Sequence, residues 1–203
     1  MKELRTILRN RTSARNAGTT DSHFKSEIME LVDKASSGDF EAFGKIYSMY
    51  LDPIYRYVFY QVKDKMAAED ITEEVFVKAW KAISTCRGKG RTFSAWLYRI
   101  AHNQVINVFR SRRKEWLSLE TAVLSVNCVA ESRVEAGLEW QELSELITRL
   151  PENQRQVILL KFIEGLDNAE IAQVMGKKEG AIRVLQMRAL SKLRQELETE
   201  ESE

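Results

Sequence analysis

Gly176 sits at the centre of residues 168–187, NAEIAQVMGKKEGAIRVLQM, and it permits few arrangements of the chain around it. Ahead of it, Asp167 is placed to cap a helix, and Glu170, three residues on, can reach back to complete a capping box. Ile171 and Met175 then share one face, and Ala172 offers a small surface that a second helix can approach closely. Glycine supplies the positive φ that a sharp turn between helices requires. After the turn, Ile182 and Leu185 recur at helical spacing, while Lys177, Lys178, Arg183 and Arg188 point elsewhere. A short helix, a tight turn and a second helix with a basic outer face is the layout of a DNA-binding helix-turn-helix. An ordinary helical hairpin with solvated charges shares the helix–Gly–helix spacing. The joint placement of Ala172, Gly176, Ile182 and Leu185 favours DNA binding.

The rest of the chain also reads as helix. Ile28, Leu31, Val32 and Ala35 form an apolar stripe that ends at Ser36-Ser37-Gly38. Asp39 can cap a second helix carrying Phe43, Ile46, Tyr47, Tyr50 and Leu51, which Asp52-Pro53 is expected to interrupt. Ile54, Tyr55, Val58, Phe59 and Val62 continue in a further segment, and the tyrosines read as core and boundary residues. Residues 138–150 and 151–165 are expected to add two helices, with Pro151 in the first turn of the second. The segment 115–136 loosens into Ser, Thr, Val, Asn and Glu, too long for a loop inside one compact domain. An all-α chain of two small helical domains joined by a flexible linker is therefore expected. Residues 1–24, with Lys2, Arg5, Arg9, Arg11 and Arg15, read as a mobile basic extension, and residues 198–203 as an acidic tail.

The formal net charge of +1 conceals local basic clusters, which say more about a polyanionic partner than the total does. Cys86 and Cys128 lack metal-ligand spacing, and His23 and His102 are isolated from any ligand set, so neither a metal nor a cofactor is expected. No apolar run approaches the ~20 residues that span a bilayer, and no secretory signal is legible. A reducing cytoplasm suits such a chain.

Two further segments invite functional readings. In residues 67–83, Asp70, Glu73, Glu74 and Lys81 lie opposite a broad apolar face, with Val77 in their midst. Spacing alone favours a solvated acidic face bearing one stray valine; a docking surface for a basic partner helix is the alternative. The loop Cys86-Arg87-Gly88-Lys89-Gly90-Arg91 is flexible and positive but lacks a nucleotide-binding pattern. The helix after it, 93–114, carries Arg99, Asn103, Asn107, Arg110 and Lys114 on one stripe, thickened by Arg112 and Arg113. Asparagine amides can read base edges while cations hold phosphates, although a basic helix end also complements the helix dipole.

Three blocks in order, EDITEEVFVKAW (69–80), TFSAWLYRIAHNQVIN (92–107) and LPENQRQVILLKFIEGLDNAEIAQVMGKKEGAIRVLQMRAL (150–190), resemble the extracytoplasmic-function (ECF) sigma factors of bacterial RNA polymerase. The resemblance covers nearly everything from about residue 25 to 197. It implies a sigma region 2 domain over 25–114, a linker over 115–137 and a region 4 domain over 138–197. It also favours docking over solvation for the acidic helix: Asp70, Glu73, Glu74 and Val77 become a face that docks on the clamp helices of the polymerase largest subunit. It further implies that Arg87, Lys89, Arg91, Arg99, Asn103, Asn107, Arg110, Arg113 and Lys114 serve the −10 element, where a base is flipped from the stack. Lys177, Lys178, Glu179, Arg183, Gln186, Arg188 and Lys192 would serve the −35 element, with Arg188 and Lys192 on phosphates.

Such a chain is no enzyme; the polymerase core performs nucleotidyl transfer. The expected partners are core RNA polymerase, promoter DNA and an anti-sigma factor that could hold this cytoplasmic protein at the membrane without insertion. Three residues depart from the family pattern. Cys86 replaces a frequent aromatic in the melting loop, where an exposed thiol would be open to oxidation. Lys178 replaces a hydroxyl residue at the recognition helix's start, and Asn107 stands where aspartate is frequent. A helix-turn-helix regulator acting without polymerase, or a sigma-like protein that only sequesters core, would share part of this pattern; the first has no need of the Val77 face.

Overall fold

The computed structural model describes residues 20–86, 92–118 and 146–200, with side chains placed for 26–86, 92–111 and 146–196. Every regular element among the described residues is helical. Helix α1 (Thr20–Ser36) begins ahead of residue 25 and buries Ile28, Leu31, Val32 and Ala35, the stripe legible in the sequence. The chain turns at Gly38, φ 96°, and the Asp39 carboxylate accepts from the amides of Glu41 and Ala42 to cap α2 (Phe40–Val62).

Helix α2 does not break at Asp52-Pro53, contrary to the sequence expectation. It runs through Pro53 as one 23-residue element. A proline inside a helix costs roughly 3 kcal/mol, through a lost hydrogen bond and a clash with the preceding turn. On the inner face, Tyr50, Ile54, Tyr57 and Val58 are all buried on both sides of the proline. Burial of each such side chain contributes about 1.5–3 kcal/mol, so continuity of the apolar face outweighs the local penalty.

Lys63, in the left-handed region at φ 54°, ends α2, and Asp64 caps α3 (Lys65–Ala82) through the Ala67 amide. A 3-10 turn (Ile83–Cys86) follows, pinned to α1 where the Ser36 hydroxyl donates to the Ile83 carbonyl at 2.9 Å. Helix α4 (Phe93–Ser118) returns across α2 and α3, and its last turn extends past residue 114. The hydroxyls of Tyr50 and Ser94 hydrogen-bond at 2.7 Å, and Tyr57 meets Tyr98 edge-on at 5.5 Å. Tyr50, on the expected stripe, and Tyr57, which that stripe leaves out, are both core residues.

In the C-terminal half, residues 146–149 are helical and Pro151 stands just before α5 (Glu152–Ile158) rather than inside it. The helix then widens into a π turn (Leu159–Ile163), closed by the Glu164 amide donating to the Leu159 carbonyl. Gly165 takes φ 70° and the Leu166 amide returns to the Leu160 carbonyl. Helices α6 (Asn168–Met175) and α7 (Glu179–Glu200) form the helix-turn-helix.

The two halves share one continuous core, in which α4 packs on α6. Polar links also cross the boundary: the Tyr98 hydroxyl donates to the Glu164 carboxylate, and Arg155 Nε donates to Gln61 Oε1 at 3.1 Å. Arg155 is anchored on its own side by a bond to the Thr148 carbonyl.

Candidate nucleic-acid interface

The helix-turn-helix is built by local chemistry that the sequence announces. Asp167 Oδ1 accepts from the Glu170 amide at 2.8 Å while Glu170 Oε2 accepts from the Asp167 amide at 2.7 Å, a reciprocal capping box. Gly176 adopts φ 62°, and the amides of Gly176 and Lys177 close on the Ala172 carbonyl. Lys178 occupies the cap position of α7: its carbonyl accepts from the Ala181 and Ile182 amides. A lysine side chain has no acceptor, so it cannot add the side-chain cap that a hydroxyl would.

Ile182, Ala189 and Leu193 are buried, and they turn Lys177, Lys178, Glu179, Arg183 and Arg188 to the exposed side of the motif. Glu179 Oε1 holds Arg183 Nη2 at 2.6 Å, which orients the guanidinium along the helix's outer edge. Gln186 and Lys192 are half-buried and lie off that face, with Lys192 Nζ at 3.5 Å from the Arg149 carbonyl.

On α4, Arg99, Asn103, Asn107 and Arg110 are all exposed, opposite the buried Leu97, Ala101 and Val105. The stripe is therefore one continuous exposed face. The backbones of Arg113 and Lys114 continue α4, but their side chains lie outside the described residues, as do Arg87, Lys89 and Arg91 altogether. Cys86 is buried at the end of the 3-10 turn. Its thiol packs inward rather than standing exposed, which corrects the expectation of an oxidisable group on the loop.

The acidic face of α3 is also open. Asp70, Glu73, Glu74, Val77 and Lys81 are exposed, Val77 by 51%, over a buried row of Ala68, Ile71, Val75 and Ala79. Glu74 differs from its neighbours because Lys78 bonds it at 2.7 Å and also donates to Gln104 on α4. The Lys78 hydrogen bond, foremost, holds the Glu74 carboxyl below its usual range, and Gln104 adds to it. Asp70 and Glu73 make no ion pair among the described residues and carry the less compensated charge. Phe40, 74% exposed, meets Trp80 of α3 at a tilt, with ring centroids 4.5 Å apart, and Trp80 also meets Phe43. Hydrophobic spacing does not single out Phe40; its position directly after the capping Asp39, off the buried stripe, is the one signal of it in the sequence.

His102 lies near the junction of the halves, with Nδ1 at 3.4 Å from the Tyr57 hydroxyl. Burial first, and the Lys177 charge second, lower its pKa. Tyr98, deeply buried and next to Glu164, has its pKa raised well above the ordinary phenol range and stays a donor. Among the described residues, no cluster of His, Cys, Asp and Glu could hold a metal ion.

The family Sigma-70 region 2 matches residues 46–115, which contain α3 and most of α2 and α4, and Sigma-70, region 4 matches residues 140–193, which contain α6 and most of α7. The ECF RNA polymerase sigma factor BldN of Streptomyces coelicolor is 41% identical over 182 residues, 88% of this chain and 68% of that protein. The chain belongs to the ECF sigma factors. SigW of Bacillus subtilis, another ECF sigma factor, is 28% identical over 84% of this chain and 96% of its own length. The fold is that of CnrH (TM-score 0.65, 24% identity, 85% of this chain and 98% of that one) and of the sigma factor RpoE from Bartonella quintana (TM-score 0.68, 21% identity, 77% and 96%). As an alternative sigma factor, the protein recognises promoters for transcription initiation. No helix among the described residues is long and apolar enough to cross a membrane.

Proposed function

We propose that this sigma factor docks on core RNA polymerase through the α3 face formed by Asp70, Glu73, Glu74 and Val77. The exposed α4 stripe, with the loop before it, serves the −10 element, and the outer face of α7 serves the −35 element. The observation that carries this reading is the coexistence of three exposed faces on three helices, one acidic with an apolar centre and two basic. A regulator acting without polymerase has no use for the first. Arg99 and Arg110 hold phosphates around Asn103 and Asn107, whose amides pair with base edges or an extruded base. The chain contributes affinity, register and strand opening, and the bond-making chemistry belongs to the core.

The proposed division is a region 2 unit over 25–114 and a region 4 unit over 138–197, joined by residues 115–137, with an extension over 1–24 and a tail over 198–203; the family matches over 46–115 and 140–193 support the two units. An anti-sigma protein is the partner that fits such a chain in a cytoplasmic setting; the Bartonella quintana relative was solved with the anti-sigma factor NepR.

Promoter-dependent transcription with bacterial core polymerase tests the assignment. Glu73→Arg should abolish core association and transcription, whereas Arg183→Ala should keep core association and lose −35-dependent initiation. A wild-type chain that binds promoter duplex yet never associates with core would replace this reading with the stand-alone regulator.

A further inference from the structure

The part of α7 that faces furthest outward is not charged. Successive residues of an α-helix are rotated by about 100°, so the side opposite Ile182, Ala189 and Leu193 is the line Gly180, Val184, Met187 and Ser191. All four are exposed, Val184 by 43% and Met187 by 63%. Exposed cations flank the line, Arg183 and Arg194 on one side and Arg188 on the other. Arginines at both edges of an apolar ridge match a groove with phosphates on both walls and base edges along its floor.

Gly180 adds an independent observation. A Cβ placed there would meet nothing within 4 Å, and its φ is not in the left-handed region. Nothing inside the protein therefore calls for glycine, although in a helix glycine is less stable than alanine. A bare backbone at the outward start of α7 leaves room for another molecule to come close.

We infer that Gly180, Val184 and Met187 form an apolar reading edge that lies against the 5-methyl groups of thymines in the −35 element. The inference rests on the assignment of α7 to that element and deepens it: specificity comes from methyl contact at the centre, with the arginines positioning. The thymine methyl is the one apolar group that base pairs present in the major groove, which makes it the complement of valine and methionine.

Replacing thymine by uracil deletes that methyl and nothing else. A duplex library randomised over the −35 region is selected with holoenzyme, and each thymine of the winning sequence, on either strand, is then replaced singly by uracil. At least one A·T pair should be selected at which uracil weakens holoenzyme binding about fourfold, the worth of one buried methyl-sized group. Val184→Ala or Met187→Ala holoenzyme should bind thymine and uracil forms alike at that position. Both residues are exposed, and an unchanged thermal midpoint verifies folding. Gly180→Ala should raise the midpoint and weaken promoter binding, a combination that a purely structural glycine would not give.

A selected element without A·T pairs, equal binding of thymine and uracil everywhere, or variants that keep the full thymine preference would each overturn the inference. Scrambling the element and Arg183→Ala separate the two levels. If both leave binding unchanged, α7 does not read the −35 element and both readings fall. If both weaken binding while uracil is tolerated, only the methyl contact falls.

Discussion

His102 shows how a residue with no part in chemistry can still set a condition on the molecule. It sits between the Tyr57 hydroxyl of the first half and the Lys177 charge of the second, and both burial and that charge favour its neutral form. Its folded pKa lies below the usual value of about 6.5. The stability that this contributes is fully present above about pH 6.5 and is lost as pH falls from there through the lowered folded value. The thermal midpoint should therefore drop as pH falls below about 6.5, and His102→Gln should flatten that part of the profile. Parallel profiles for the two proteins would place the titration elsewhere. At this scale the sequence is legible wherever a residue acts through its neighbours in the chain: Asp39, Asp167, Glu170 and Gly176 do what their spacing says. It is not legible where the direction of a side chain depends on packing. Val184 and Met187 look like core residues until α6 fixes which side of α7 is buried, and Glu74 looks like a free acid until Lys78 ties it to Gln104 on α4.

Among the elements, α2 contradicts its sequence most openly. Pro53 leaves the Met49 carbonyl without its helical partner, a price accepted so that one continuous face can cover α1, α3 and α4. Pro53→Ala restores an N–H donor to the interior of the helix, offset in part by greater freedom of the unfolded chain. A net stabilisation of about 1–2 kcal/mol is expected, which for a chain of this length raises the midpoint by several degrees. A lower midpoint would mean that the proline's bend is built into the packing. The π turn is equally hidden, because an extra residue in a helical turn leaves no mark on hydrophobic spacing. It ends at Glu164, whose carboxylate it delivers to Tyr98.

For the whole molecule, the decisive feature is the contact between halves. Positions −35 and −10 are about 25 base pairs apart, a span of roughly 85 Å along B-DNA, whereas packed helices lie about 8–10 Å apart. With α4 against α6, the surfaces proposed for the −10 and −35 elements cannot reach both at once, so on that assignment promoter engagement requires the halves to part. Tyr98→Phe removes one bond of the junction, a loss of about 1–3 kcal/mol when a charged acceptor is left behind. It should enlarge the scattering radius of the free protein while leaving each half folded. An unchanged radius would assign the closure to apolar packing alone. The linear pattern predicts both halves but not their contact, since the residues that meet, Gln61 with Arg155 and Tyr98 with Glu164, are far apart in the chain and ordinary in themselves.

A closed resting form also shapes what mutation can do to such a protein. When only the open fraction can engage both promoter elements, the apparent affinity for the promoter is the intrinsic one scaled by that fraction, and each 1.4 kcal/mol removed from the junction raises it about tenfold until the open form dominates. Substitutions at Gln61, Tyr98, Arg155 or Glu164 touch neither DNA nor polymerase in the assigned interfaces, yet they would emerge from a genetic selection as hyperactive alleles. Promoter occupancy would then be tuned from inside the protein, at a seam that neither partner sees.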